Sequence, residues 1–452
     1  MKRRLAAVTM LILAMNVIVN ALPQDIQCTI VPTEPTTCYI TTPFILQPLS
    51  TLNIVDTGNL ENITRFELRA YSNLNRIPAI LWAKFPKLQE IIMANYSVVD
   101  TLSTADFLYA ANLKILSLQG NRLLTVPYSA FALAPKLEQL DLSMNLITEI
   151  EDMAFNGLDQ LKVLDLSYNR LGLLKTFSFA GATNLQYLDL SHNKIKLIDD
   201  GTFNLPNLKY LNMNTNDLKV LPENLFGVAG VQSSSLAFVD FGDNKLAHIG
   251  SSLYNLHEME FLNLTNNKKI DDINLAEFAK LPKLVQLSLS NSGFQFPTPL
   301  TITPPSFVAP TTPTPTSNSP LKVLDLSKNK LANPDILMQL AYFRRLEVLR
   351  LDGNKFTYFD YVKALPTWFP NLRTIYVGEN KWNCEWLNLT IPIFREANVT
   401  VLTVQKTKTW YGTVLQEKVI DMEDCVDLGV VLDKILWFLG NKLTPVTPVI
   451  PV

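Results

Sequence analysis

Side chains able to do chemistry are abundant in this chain, but they recur at fixed intervals and do not gather into catalytic sets. Asp141, Asp165, Asp189 and Asp240 form an acidic row, joined in the same periodic position by Asn212, Asn263 and Asp325. Two residues ahead of it runs an aromatic row, Tyr187, Tyr210, Phe238 and Phe261. Aromatic side chains give large contact area at low entropic cost, so this pairing reads as a surface for binding another protein. The aspartates sit in LDLS-type segments, a common form of the surrounding repeat, and are equally readable as solvated consensus residues. The histidines, His192, His248 and His257, are scattered. There is no GxSxG, HExxH, P-loop or glycine-rich dinucleotide turn. The expectation is a binding protein and not an enzyme, with no cofactor and no metal. A net charge of −2 and a pI of about 6.0 give no global sign of a nucleic-acid or membrane partner.

Two further residue types carry covalent chemistry. Cys28, Cys38, Cys384 and Cys425 are even in number, as in a disulfide framework, and allow three pairings. They lie two by two beyond the ends of the periodic region, so local pairing is expected: Cys28–Cys38 and Cys384–Cys425. N-x-S/T sequons stand at Asn62, Asn95, Asn263, Asn388 and Asn398. Asn263 falls in the acidic row, where a glycan would cover part of that surface and push a ligand toward Asp165–Tyr210.

The elements that must position these residues follow from the pattern LxxLxLxxN. Clear copies run Leu113–Asn121, Leu137–Asn145, Leu161–Asn169 and Leu185–Asn193, then Leu208–Asn216, Leu236–Asn244, Met259–Asn267 and Leu284–Ser292. Later copies are Leu321–Asn329, Leu346–Asn354 and Leu372–Asn380, and two degenerate ones, Ile63–Tyr71 and Leu88–Tyr96, precede them all. Leu-x-Leu makes a short strand with its leucines inward. The asparagine amide is placed to satisfy backbone groups where the chain turns away. Phe107, Phe131, Phe155, Phe179 and Phe203, then Phe226 and Phe278, give a second buried spine. The period and pattern are those of an α/β leucine-rich-repeat solenoid. Such a fold has a curved parallel sheet on the concave side, short helices and loops on the convex side, and here disulfide-pinned caps.

The domain reading is a signal peptide over 1–21, an N-terminal cap over 22–60 and about thirteen repeats over 61–380. A C-terminal cap follows over 381–425, then a short apolar helix and Pro-rich tail over 426–452. Lys2, Arg3 and Arg4, the apolar run Leu5–Val19, and Val19 and Ala21 before the cleavage point make the signal. A run of that length falls short of the ~20 residues that span a bilayer. The chain is therefore expected to be secreted, with no membrane span. Pro297–Pro320, rich in Pro, Thr and Ser, breaks the period as an exposed insertion, and Val231–Ser235 is a smaller bulge. Leu428–Leu439 has helical apolar spacing and either folds onto the cap or mediates self-association.

Locally, "RIPAILWAKFPKLQEI" and "ADFLYAANLKILSLQGNRL" within Ile63–Pro127, and "GENKWNCEWL" at Gly378–Leu387, resemble the leucine-rich-repeat immune proteins of mosquitoes. In the last motif Trp386 stands where many animal repeats place a second cysteine. The resemblance implies an extracellular protein of innate immunity, with a complement-like thioester protein or a microbial surface as partner. Long members of that family add a coiled coil and a dimerising cysteine. This chain shows no sustained heptads after Cys425 and resembles a short member. The alternative is an adhesion or matrix protein that binds a cell-surface partner.

Overall fold

The computed structural model describes residues 24–45, 52–55, 60–95, 98–227, 235–267, 269–296, 319–409 and 412–420. The chain divides into two compact units, residues 1–259 and 260–452.

In the first unit each Leu-x-Leu core forms a short strand. The strands Arg65–Leu68, Glu90–Ile92, Ile115–Ser117, Gln139–Asp141, Val163–Asp165, Tyr187–Asp189, Tyr210–Asn212 and Phe238–Asp240 pair in parallel, each with the next and in unbroken register. Strand side chains alternate between faces, so Leu140, Leu164, Leu188, Leu211 and Val239 point inward and are at most 1% exposed. Their neighbours on both sides face out. Glu34–Ile40 joins the edge of this sheet in parallel and turns back in an antiparallel pair with Thr29–Val31. The Cys28–Cys38 disulfide closes that hairpin.

The asparagine ladder explains why the ninth position is fixed. The Asn145 amide donates to the carbonyls of Leu118 at 2.9 Å and Leu142 at 3.0 Å, and its oxygen accepts the Leu123 N–H at 3.1 Å. Asn169, Asn193 and Asn216 repeat this geometry. Each buried backbone group left without a partner would cost about 1–3 kcal/mol. The residue before the asparagine is left-handed in successive repeats, with φ of 55° at Met144, 54° at Tyr168 and 53° at His192, and glycine takes the position at Gly120 and Gly353. The phenylalanine spine is continuous from Phe107 to Phe203, with ring centroids 5.2–6.2 Å apart.

The second unit repeats the plan. Phe261–Asn263, Gln286–Ser288, Val323–Asp325, Val348–Arg350, Thr374–Tyr376 and Thr400–Thr409 pair in parallel in turn, and the last pairs antiparallel with Gly412–Val419. Gln286–Ser288 and Val323–Asp325 are direct neighbours, so the long insertion between them leaves the sheet unbroken. At Ser292 a hydroxyl replaces the ladder amide and donates to the Leu289 carbonyl at 2.7 Å. The helix Cys384–Glu396 starts at Asn383, whose side chain accepts the Trp386 N–H at 2.9 Å. Trp386 stacks on buried Trp382 with centroids 5.1 Å apart and meets Phe359 edge-on. Cys384 is disulfide-bonded. Its expected partner Cys425 lies outside the described residues, as do the signal segment 1–21, residues 231–234 of the bulge, residues 297–318 of the insertion, the expected helix 428–439 and the tail. Among the described residues no helix is long and apolar enough to cross a membrane.

Candidate functional site

The outward positions of the strands from Gln139 to Asp240 form three columns. The first holds Gln139, Val163, Tyr187, Tyr210 and Phe238, the second Asp141, Asp165, Asp189, Asn212 and Asp240, and the third Ser143, Ser167, Ser191, Asn214 and Gly242. Parallel register sets each side chain beside its equivalent one strand on, about 4.8 Å away. Tyr187 and Tyr210 therefore stack face to face with centroids 4.3 Å apart and planes 7° apart, and Tyr210 stacks on Phe238 at 4.4 Å and 8°. All three residues are half-buried. Burial and the neighbouring ring and Asp189 push the Tyr187 hydroxyl above the usual phenol range, and burial beside Asp189 does the same to Tyr210.

The acidic column has a structural role. Each of its residues accepts the backbone N–H two residues on: Asp141 from Ser143 at 2.9 Å, Asp165 from Ser167 at 2.8 Å, Asp189 from Ser191 at 2.8 Å and Asp240 from Gly242 at 2.7 Å. These bonds turn the chain out of the strand, as short polar side chains do. Asn212 makes the same bond to Asn214 at 3.0 Å, and Asn263 to Thr265 at 3.0 Å. Asp189 is the most enclosed of the row, 9% exposed, and also accepts the Asn212 amide at 3.0 Å. It supports the surface more than it presents to it. Burial, together with the Asp189 and Asp141 charges on either side, raises the Asp165 carboxyl above its ordinary range against the hydrogen bonds from Ser167.

The structure thus gathers Tyr187, Tyr210 and Phe238 with the four aspartates in one unit. Phe261, expected to extend the aromatic row, lies in the second unit, where its strand neighbour is Gln286. Asn263 lies beside it, half-buried. Asn62, Asn95, Asn388 and Asn398 are exposed. Sequence reasoning missed Tyr168 and His192, whose rings stack 4.1 Å apart on the turn just past the sheet. The signal was there, since both occupy the variable position before the ladder asparagine. It also missed Arg350, which lies over the Tyr376 ring at 4.5 Å between Asp325 at 3.9 Å and Asp352 at 3.3 Å.

A family model described as leucine rich repeat matches residues 111–171, 160–218 and 183–233. The fold is a leucine-rich-repeat fold. Among solved structures, the leucine-rich-repeat domain of mosquito APL1 is similar at 21% identity and a TM-score of 0.58, covering 82% of this chain and 92% of that one. The complex of LRIM1 with APL1C is similar at 20% identity and a TM-score of 0.58, over 92% of this chain and 74% of that one. TLR13, solved with a single-stranded RNA, matches at 19% identity and a TM-score of 0.56 over 90% of this chain. The chain spans 57% of the TLR13 chain. No curated protein matches by sequence. At these identities the likeness is one of fold.

Proposed function

We propose that this chain is a secreted, glycosylated binding or scaffold protein of innate immune recognition. It docks a protein partner on the sheet face of the first unit, around Tyr187, Tyr210 and Phe238. The half-exposed ladder of three stacked rings carries the reading. A repeat fold needs inward leucines and ladder asparagines, and nothing in its core calls for aromatic rings in outward columns. Rigid aromatic surface is the usual anchor of a protein interface. The likeness of fold to APL1, LRIM1–APL1C and TLR13 supports an immune role, and the Cys28–Cys38 disulfide fits an oxidising extracellular compartment. A complement-like thioester protein or a microbial surface protein is the class of partner that this reading takes. The TLR13 structure holds RNA, but four carboxylates on this face oppose a phosphate backbone. The exposed Asn62, Asn95, Asn388 and Asn398 are the sites for glycans.

The test is affinity capture from insect haemolymph. Protein purified from insect-cell medium is compared with a Tyr187→Ala, Tyr210→Ala, Phe238→Ala triple variant, and bound proteins are read by mass spectrometry. A partner retained by the wild type and lost from the equally folded variant supports the reading. Identical captured sets overturn it.

A further inference from the structure

The turn that each aspartate closes does not need its charge. Asn212 and Asn263 close the same turn with a neutral amide at the same 3.0 Å. The turn at Asp141, Asp165, Asp189 and Asp240 therefore does not itself require the carboxylate charge. The charge at Asp165 is also unfavourable as it stands, because burial and the neighbouring Asp189 and Asp141 charges work against its ionisation. No lysine or arginine occupies any outward position in the three columns of these strands. The bases just ahead of them are Lys162, which pairs with Glu138 at 2.7 Å, and Lys209.

Elsewhere the same molecule shows what answers such a surface. In the second unit Arg350 lies over the Tyr376 ring and between Asp325 and Asp352. Near the N-terminal edge of the first unit Arg69 lies over the Tyr39 ring, 3.8 Å from its centroid, and pairs with Glu67 at 2.5 Å. In both places an aromatic ring and a carboxylate on the sheet face hold one guanidinium. A planar guanidinium suits this because it stacks on a ring and donates to a carboxylate at once, whereas an ammonium is a compact, strongly hydrated charge.

From this we propose that the strip formed by Tyr187, Tyr210 and Phe238 with Asp165 and Asp240 at its face, and the shielded charge of Asp189 behind them, receives arginine side chains from an extended basic segment of the protein partner. This rests on the reading that the face binds protein, and it names the partner's chemistry. Spacing favours one backbone form. Alternate strands of a sheet lie about 9.6 Å apart, and residues three apart in a polyproline II helix repeat every ~9.3 Å. Arginines at every third position of such a segment meet alternate strands. A β-strand, whose like-facing residues repeat every ~6.7 Å, does not keep that register.

The test is fluorescence anisotropy with labelled repeat peptides of Arg-Pro-Pro, Lys-Pro-Pro and Glu-Pro-Pro at physiological ionic strength. The Arg-Pro-Pro peptide is expected to bind about tenfold more tightly than the lysine form, and the glutamate form not to bind. Asp165→Asn with Asp189→Asn keeps the turns and is expected to weaken arginine-peptide binding by about tenfold or more. Tyr187→Ala with Tyr210→Ala is expected to erase the preference for arginine over lysine. Equal binding of the two basic peptides, or binding that neither pair of substitutions changes, overturns the proposal. So does no binding at all. If the arginine peptide fails to bind while the triple aromatic variant still loses its captured partner, the protein-binding reading stands and the arginine assignment falls.

Discussion

The outward columns of the two units are built on the same strand and turn, yet one carries an arginine among its acids and the other carries no base. In the second unit the central column runs Asp325, Arg350, Tyr376, and the arginine answers both the acid and the ring. In the first unit the equivalent column runs Asp189, Asn212, Asp240, with stacked rings alongside and no base among them. The scaffold is common to both: parallel register, inward leucines and a ladder asparagine. The difference shows that one repeat scaffold can place a base within a polar and aromatic column or leave it out, and the column without a base is the one proposed above for a partner.

The largest effect should be the one that does not distinguish the units. Asn169→Ala in the first and Asn329→Ala in the second each strand several buried backbone groups. Each is expected to cost about 3 kcal/mol, read as a lower denaturation midpoint. A cost confined to one unit would mean that the ladders are not equivalent.

Next in size is Arg350→Ala. It leaves Asp325, already raised by burial, without the cation that favours its ionised form. A loss of about 1–2 kcal/mol at neutral pH is expected. The sign with pH follows. A carboxyl raised in the folded state destabilises the fold while ionised, so the deficit should shrink as pH falls through its folded value. A deficit unchanged by acid would show that Arg350 acts by packing alone. The same substitution should give the second unit a weak affinity for the Arg-Pro-Pro peptide.

The reciprocal change is Asn212→Arg, which places a guanidinium between Asp189 and Asp240. It should raise stability by up to about 1 kcal/mol and abolish partner binding. The smallest effect is expected for Asp165→Asn. Burial and the flanking Asp189 and Asp141 raise this carboxyl in the folded state, so the neutral variant should melt slightly higher at neutral pH. The gap should close as pH falls through the raised value. A variant less stable than the wild type at neutral pH would mean that the charge is satisfied within the fold.

Much of this was legible in the sequence because the repeat fixes both what is inward and what is adjacent. The ladder asparagines and the phenylalanines from Phe107 to Phe203 could be aligned by eye, and the stack of Tyr187, Tyr210 and Phe238 followed from the leucine frame despite uneven spacing. What was not legible depends on side-chain reach and enclosure. Nothing in the segment around Arg350 says that its guanidinium bends over Tyr376, one repeat later, and nothing in LDLS says that Asp189 is shielded while Asp165 is half open. The turn made by each aspartate was hidden too, since the hydrogen bond that explains the residue is to its own backbone. The caps were legible only in part: the cysteines marked them, but the packing of Trp382, Trp386 and Phe359 did not follow from any repeat.

The most direct test of the central claim is hydroxyl-radical footprinting of the protein alone and with its captured partner. Tyr128 and Phe177, which are 59% and 55% exposed and lie off the sheet strands, serve as internal references. The account predicts that oxidation of Tyr187, Tyr210 and Phe238 falls several-fold on binding while the two references are unchanged. Protection of Tyr128 and Phe177, with the stacked rings still reactive, would contradict it and move the binding surface off the sheet.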